Sequence, residues 1–427
     1  MPDALPHPTT AAPETNLLQA VRRAARNATW LFSSQTAARL IGFAIGVVLA
    51  RHFRAGGFGE YVFVMTYVTY FAFLADGGLG RFLIRDAAHE PAWAQDFLEK
   101  TLGLRLLLAL GAYVLMLAGA LATRSGGERT ALVAIAGLSL FAGAVSGALN
   151  SMFNAREEMR VSAIFGVLSS TTTALFVAGA LAAGFGLRGV IVAATLANVP
   201  PLVYLMVRWQ ERAGWPRPAF ERAFWGHALG RSLPYALLGV IGLIYFRMDA
   251  LLLTWMKGNE STGIYTAAYR LLDAATDVPG VIVAAMFPTL SRLHVESKAK
   301  VRKTYLGALA TLTLLGLPVL LAMVLFARPL ILMLYGEEFR DSVLVLQILA
   351  VAVFLIFVDT ANTMVLYASE NLRPVVLLSL VTTAANVGLC LLLIPPYAER
   401  GAAVAMILST AVSIAIFTPA VLRSLRE

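Results

Sequence analysis

Hydrophobic and polar positions along the chain mark out twelve long apolar stretches, at about 28–50, 60–82, 103–122, 130–152, 160–183, 189–207, 232–254, 262–290, 305–327, 342–368, 374–394 and 401–422. Leu, Ala and Val fill them without the apolar–polar alternation of a half-buried strand. A helical crossing of a bilayer needs about 20 apolar residues, and each stretch is close to that length or longer. The pattern predicts an all-α integral membrane protein with twelve transmembrane helices, not an outer-membrane barrel. The second and eighth stretches contain Gly77–Gly78 and Pro279–Gly280. Such breaks are tolerated where a helix faces protein or a wet cavity. Residues 1–25 read as a disordered cytoplasmic tail, rich in Pro, Ala and Thr over its first 16 positions. The first apolar stretch is too long for a signal-peptide core and is expected to be a crossing.

Composition agrees with this pattern. Of 427 residues, 59% are hydrophobic and 14% charged, with a mean hydropathy of +0.74. Soluble domains carry about 25% charged residues, so a water-soluble globular protein is excluded. The lone Cys390 rules out a disulfide framework and a multi-cysteine metal site, and the five histidines form no metal-binding spacing. Twelve crossings put both termini on one side. The tails and loops of that side hold 21 Lys and Arg against 9 opposite, leaving Arg39, Arg105, Arg247 and Arg270 within crossings. By the positive-inside rule both termini are expected in the cytoplasm. The net charge of +9 then follows mostly from topology and calls for no nucleic-acid partner.

The chain repeats itself. Asn150-Ser-Met-Phe-Asn-Ala-Arg-Glu-Glu-Met-Arg160 matches a segment from Asn362 to Arg373, and Gly186-Leu-Arg-Gly matches Ala398-Glu-Arg-Gly, both about 212 residues on. Gly59-Glu-Tyr61 pairs with Gly263-Ile-Tyr265 at a similar offset. Six crossings per repeat is an even number, so the halves should be parallel repeats about an axis along the membrane normal. This predicts two six-helix lobes, 26–208 and 232–427, related by a pseudo-two-fold axis and joined by a cytoplasmic linker, 209–231. A cleft between such lobes suits alternating access.

Charges inside a bilayer cost about 2.5–3.5 kcal/mol on insertion scales and persist mainly where paired or wet. Arg39 follows Ser33, Ser34 and Gln35, a polar patch that suggests a cavity wall; hydrogen bonding between packed helices is the structural alternative. Asp76 precedes Gly77-Gly78 and reads either as a proton or cation site or as a helix cap. Arg247 and Asp249 are two residues apart and face different ways, so each needs a partner elsewhere. Thr266, Arg270, Asp273 and Asp277 fall at i, i+4, i+7 and i+11, which is one helical stripe. The stripe should face a wet lumen or the other lobe, with Arg270 and Asp273 paired at i, i+3; the alternative is an ion pair that pins the lobes together. Asp359 lies in the tenth stretch. Arg105 is expected to snorkel to the interface, and Gly42-x-x-x-Gly46 reads as helix packing.

Ala50-Arg-His-Phe with Phe58-Gly-Glu-Tyr61, Ala75-Asp-Gly-Gly-Leu79 with Arg85, Phe246-Arg-Met-Asp249, Gly263-Ile-Tyr265 with Tyr269-Arg270, and Phe287-Pro288 form an ordered set along 25–424. In that order they resemble the Wzx-like polysaccharide flippases of the multidrug/oligosaccharidyl-lipid/polysaccharide exporter superfamily. One departure is Arg54-Ala-Gly-Gly in the first loop, where a proline is common in the family. The resemblance implies a MATE-like fold in the bacterial inner membrane and transport of an undecaprenyl-diphosphate-linked oligosaccharide, a precursor of O-antigen, exopolysaccharide or capsule. It also implies no cofactor, coupling to H⁺ or Na⁺, and work beside polysaccharide polymerase machinery. Guanidinium groups bind diphosphate bidentately. Arg39, Arg247 and Arg270, with Gln35, are therefore the expected substrate contacts. Asp76, Asp249, Asp273, Asp277 and Asp359 would balance charge or bind the coupling ion. Two rivals stand beside this reading. A drug or cation antiporter of the same superfamily should carry more acids than arginines in its crossings. A membrane glycan polymerase or ligase needs a sizeable outer loop, and the largest here, about 328–341, offers only Tyr335, Glu337, Glu338, Arg340 and Asp341.

Overall fold

A computed structural model describes residues 17–89, 94–123, 126–296, 298–367 and 373–425. Among these the chain is helical and no strand occurs. The first half holds α1 (Leu17–Asp76), α2 (Leu79–His89), α3 (Ala94–Ala122), α4 (Gly127–Gly137), α5 (Ser139–Ala155), α6 (Met159–Ala182), α7 (Leu187–Leu196) and α8 (Val199–Ala213). The second holds α9 (Arg222–Lys257), α10 (Asn259–Glu296), α11 (Lys298–Leu325), α12 (Ala327–Tyr335), α13 (Ser342–Tyr367) and α14 (Arg373–Ser424). The protein is a multi-pass membrane protein. Among the described residues nine helical stretches are long and apolar enough to cross a bilayer. Leu314 on α11 and Leu392 on α14 are each 72% exposed, which water would penalise and lipid does not.

Two of the nine stretches, Thr29–Ala87 and Val375–Ser424, have 59 and 50 residues, far more than one crossing needs. Each contains a non-helical residue, Arg54 at φ 59° and Ala398 at φ 49°. Both sit in the left-handed region that most side chains avoid, and both fall between apolar stretches drawn from sequence. The fourth and sixth stretches, read as unbroken, are instead two helices each. α4 gives way to α5 at Leu138, where the Ser139 hydroxyl donates to the Ala136 carbonyl at 2.6 Å. α7 ends before Asn198, and Pro200–Pro201 open α8, where their missing N–H groups cost nothing. Residues 17–25, assigned to the tail from sequence, are helical; the rest of that tail, 1–16, lies outside the described residues.

The two halves meet chiefly where α1 packs on α10. A Cβ on Gly59 would overlap the Asn259 carbonyl, and a Cβ on Gly263 would overlap the Ala55 carbonyl. Positions 55 and 259, like 59 and 263, lie 204 residues apart. The contact is thus reciprocal, as a two-fold relation between repeats produces. Beside it, Arg129 forks onto Glu60 at 2.8 and 3.1 Å and reaches the Asn259 side-chain oxygen at 3.0 Å. The Asn259 amide donates back to Glu60. Glu60 and Arg129 belong to the first half and Asn259 to the second, so this triad fastens the two halves together.

The connection between the halves is not a loose tether. The Ala219 amide donates to the Glu99 carbonyl at 2.9 Å, and Lys100 pairs with Glu221 at 2.6 Å. A side chain on Gly103 would overlap the Ala219 carbonyl, so the linker lies directly on α3.

Candidate functional site

Gln35, Arg39, Gly42 and Gly46 recur at i, i+4, i+7 and i+11 and form one stripe of α1. Gln35 and Arg39 are exposed. Gly46 and the carbonyl of Gly42 meet Arg270 of α10. A guanidinium nitrogen of Arg270 donates to the Gly42 carbonyl at 3.0 Å, and a Cβ on Gly46 would overlap the same group. The guanidinium carbon stands 5.5 Å from the Phe58 ring centre, within cation–π range. Of the glycine pair read as helix packing, Gly46 therefore makes room for a cation carried by the other half, and Gly42 supplies its carbonyl. Among the described residues no carboxylate lies within 4 Å of Arg270. The expected Arg270–Asp273 pair does not form. Residues three apart on a helix diverge by about 60°, and α1 and α9 draw them in different directions.

Asp273 instead accepts a hydrogen bond from Arg247 of α9 at 3.0 Å. The two side chains remain 42% and 41% exposed, so the surrounding protein does not enclose this ion pair. Arg247 also lies 5.4 Å from the Tyr269 ring centre. Asp249 points elsewhere, as the two-residue spacing required. It is 4% exposed, accepts from the Tyr265 hydroxyl, and takes the Ala250 amide at 2.7 Å. Thr266 is buried with an unpartnered hydroxyl, so the upper end of the α10 stripe faces protein. The backbone of Asp277 continues that stripe, but its side chain lies outside the described residues.

Asp76 ends α1 and is 38% exposed, yet it is not alone. Arg105 of α3 pairs with it at 2.5 Å. Arg105 is 2% exposed, in contrast to the snorkelling expected of it. The reason is helix register. The apolar stretch begins near 103, but α3 starts at Ala94, which places Arg105 about three turns inside. Cβ atoms on Gly80 and Gly147 would crowd its guanidinium, so both glycines make room for it. After Asp76 the chain turns through Gly77 and Gly78 at φ 55° and 73°. Gly78 also crosses α9 closely, since a Cβ there would lie 2.6 Å from the Ser232 carbonyl.

Asp359 of α13 lies in a separate polar cluster in the second half. It accepts from Ser413 at 2.7 Å and Asn362 at 3.4 Å. Asn362 is held in turn by the Tyr305 hydroxyl at 2.8 Å and by Thr418 at 3.1 Å. The Asp359 carboxylate is thus held by a hydroxyl and an amide donor. Among the described residues no group of three or more His, Cys, Asp or Glu is placed to hold a metal ion. The structure thus gathers Arg247, Arg270 and Asp273 where α1, α9 and α10 meet, with Arg39 and Gln35 on the facing stripe. Asp76 and Asp359 sit apart from them. Sequence reading placed Arg105 at the interface instead of in the interior, and it missed the Glu60–Arg129–Asn259 triad. Nothing in the chain flags the triad, because its members lie up to 199 residues apart.

Residues 24–294 match the family model described as polysaccharide biosynthesis protein. Residues 259–426 match the model described as lipid II flippase MurJ. The succinoglycan biosynthesis transport protein ExoT of Rhizobium meliloti (strain 1021) is 23% identical over 333 residues, which cover 77% of this chain and 65% of ExoT. The chain therefore spans just under two thirds of that relative. An inward-facing multidrug resistance MATE family transporter of the MOP superfamily superposes with a TM-score of 0.74 at 17% identity, over 91% of this chain and 94% of the other. Lipid II flippase MurJ in an inward closed conformation gives 0.75 at 13% identity, over 92% and 88%. Both structures share the fold.

Proposed function

Because the chain belongs to the polysaccharide biosynthesis protein family, we propose that it flips a polyprenyl-diphosphate-linked oligosaccharide repeat unit across the cytoplasmic membrane. Transport would run by alternating access between two six-helix lobes in twelve crossings, with both termini cytoplasmic. The observation that carries this reading is Arg270. It is a largely buried cation at the junction of the halves, held by a backbone carbonyl, with no carboxylate among the described residues within ion-pair distance. A buried charge without a counter-ion is costly, and an anionic cargo would supply one. Arg247 is the natural second contact, since it can leave Asp273 for a diphosphate and return afterwards. Arg39 and Gln35 extend the same face. The glycan would occupy the hydrated space between lobes, and the polyprenyl tail would stay in lipid.

A cationic drug is the less favoured cargo. Asp76 and Asp249 already hold hydrogen-bond donors, and Asp273 holds Arg247. Complementation of a flippase-null strain tests the proposal. Arg247→Ala and Arg270→Ala should each lower transport at least roughly tenfold, the worth of one lost charge-assisted contact. Arg39→Ala should cost less, because that side chain is exposed. Wild-type activity in both Arg247→Ala and Arg270→Ala would overturn the clamp.

Ion coupling rests on the acids. Asp359→Asn keeps the cluster's shape but cannot ionise. If Asp359 carries the coupling H⁺ or Na⁺, transport in vesicles should lose its dependence on the imposed ion gradient. A gradient response unchanged in Asp359→Asn, Asp249→Asn and Asp273→Asn alike would place coupling outside these carboxylates.

A further inference from the structure

We infer that a second, peripheral pocket on the first half binds the phosphate of a lipid headgroup. It lies at the end of the bundle where α1 begins, α5 joins α6 and α8 finishes. It has a volume of about 650 Å³, and its charged lining is four arginines, Arg26, Arg160, Arg208 and Arg212, against two acids, Glu157 and Glu158, with Trp30 and Tyr204 beside them. The Arg247–Arg270 cluster takes no part in it.

Charge in this pocket is unevenly matched. Arg212 pairs with Glu158, and Arg208 pairs with Glu211 at 3.1 Å. Among the described residues no carboxylate lies within 4 Å of Arg26 or Arg160. Arg160 instead stands 5.9 Å from the Trp30 ring centre. The Tyr204 hydroxyl is buried beside Arg208, whose guanidinium stands 5.8 Å from the Tyr204 ring centre. Two guanidinium groups with no carboxylate in reach border one hollow, and a phosphate offers them several oxygens.

The surroundings indicate that this phosphate is attached to a lipid. Trp30 is 43% exposed and Ile164 36% exposed on the pocket rim, and Val203 and Val207 of α8 are exposed nearby. An indole beside arginines marks the membrane–water boundary, and basic pockets between helices at that depth hold anionic headgroups. Two lipids carry the required chemistry, an anionic phospholipid of the bilayer and a polyprenyl diphosphate.

Trp30 supplies the probe. The full-length protein is reconstituted with brominated phosphatidylglycerol or brominated phosphatidylcholine, and tryptophan quenching is compared with that of Trp30→Phe to isolate the Trp30 component. That component should favour phosphatidylglycerol roughly tenfold, and the preference should collapse in Arg26→Gln/Arg160→Gln. It should persist in Arg328→Gln, an exposed arginine outside this pocket. Unbrominated phosphatidylglycerol or undecaprenyl diphosphate should relieve the quenching, and whichever acts at the lower mole fraction identifies the source. A preference absent in wild type, or intact in the double variant with an unchanged thermal melt, would overturn the assignment. So would relief by inorganic phosphate as effective as that by lipid.

Discussion

Gly46→Ala is expected to abolish transport while leaving the protein folded and inserted. The new methyl group would occupy the volume of the Arg270 guanidinium, which is the free end of a flexible side chain and can swing away. Alanine also favours a helix over glycine by about 1 kcal/mol, so thermal stability should hold or rise slightly. What is lost is the position of Arg270 over Gly42 and Gly46, and with it the cation at the junction of the halves. Gly42→Ala provides the control, because a Cβ there meets nothing within 4 Å. Complementation together with a thermal melt reads both quantities. Normal transport by Gly46→Ala would mean that Arg270 has no fixed post during flipping.

Gly59→Ala and Gly263→Ala should behave in the opposite way and damage the protein itself. In each the added methyl meets a backbone carbonyl of the other half, and backbone cannot rotate aside. The crossing of α1 and α10 would have to widen. Overpacking of this kind costs about 1–3 kcal/mol, and it would also stretch the Glu60–Arg129–Asn259 triad beside it. Both substitutions should lower the melting temperature and reduce transport. Gly56→Ala should do neither, since a Cβ at that position enters open space. Because the two clashes oppose the same close approach, the second should add less than the first. Full additivity in the double variant would show that the contacts open independently, contrary to one shared crossing.

These cases mark what the sequence carries. Arg247 and Asp249 stand two apart, so their need for separate partners was legible, and the structure supplies Asp273 and Tyr265. The i, i+4, i+7 spacing through Thr266, Arg270 and Asp273 puts these residues on one side of α10. It could not reveal that Arg270 would lean to α1 and Asp273 to α9. Arg105 was misplaced because hydropathy locates the apolar part of a helix and not its start. α3 extends nine residues ahead of the apolar stretch, which carries Arg105 into the interior.

Taken alone, the chain determined that this is a helical membrane protein, where its apolar stretches lie and that it repeats. Each of these is encoded in the local run of apolar residues or in self-similarity. The tertiary structure decided the partners: Arg270 with the Gly42 carbonyl 228 residues away, Asp76 with Arg105, and Glu60 with Asn259. A charge in a bilayer settles on whatever neighbouring helix brings a matching group within reach, and that neighbour is set by how the helices pack, not by distance along the chain.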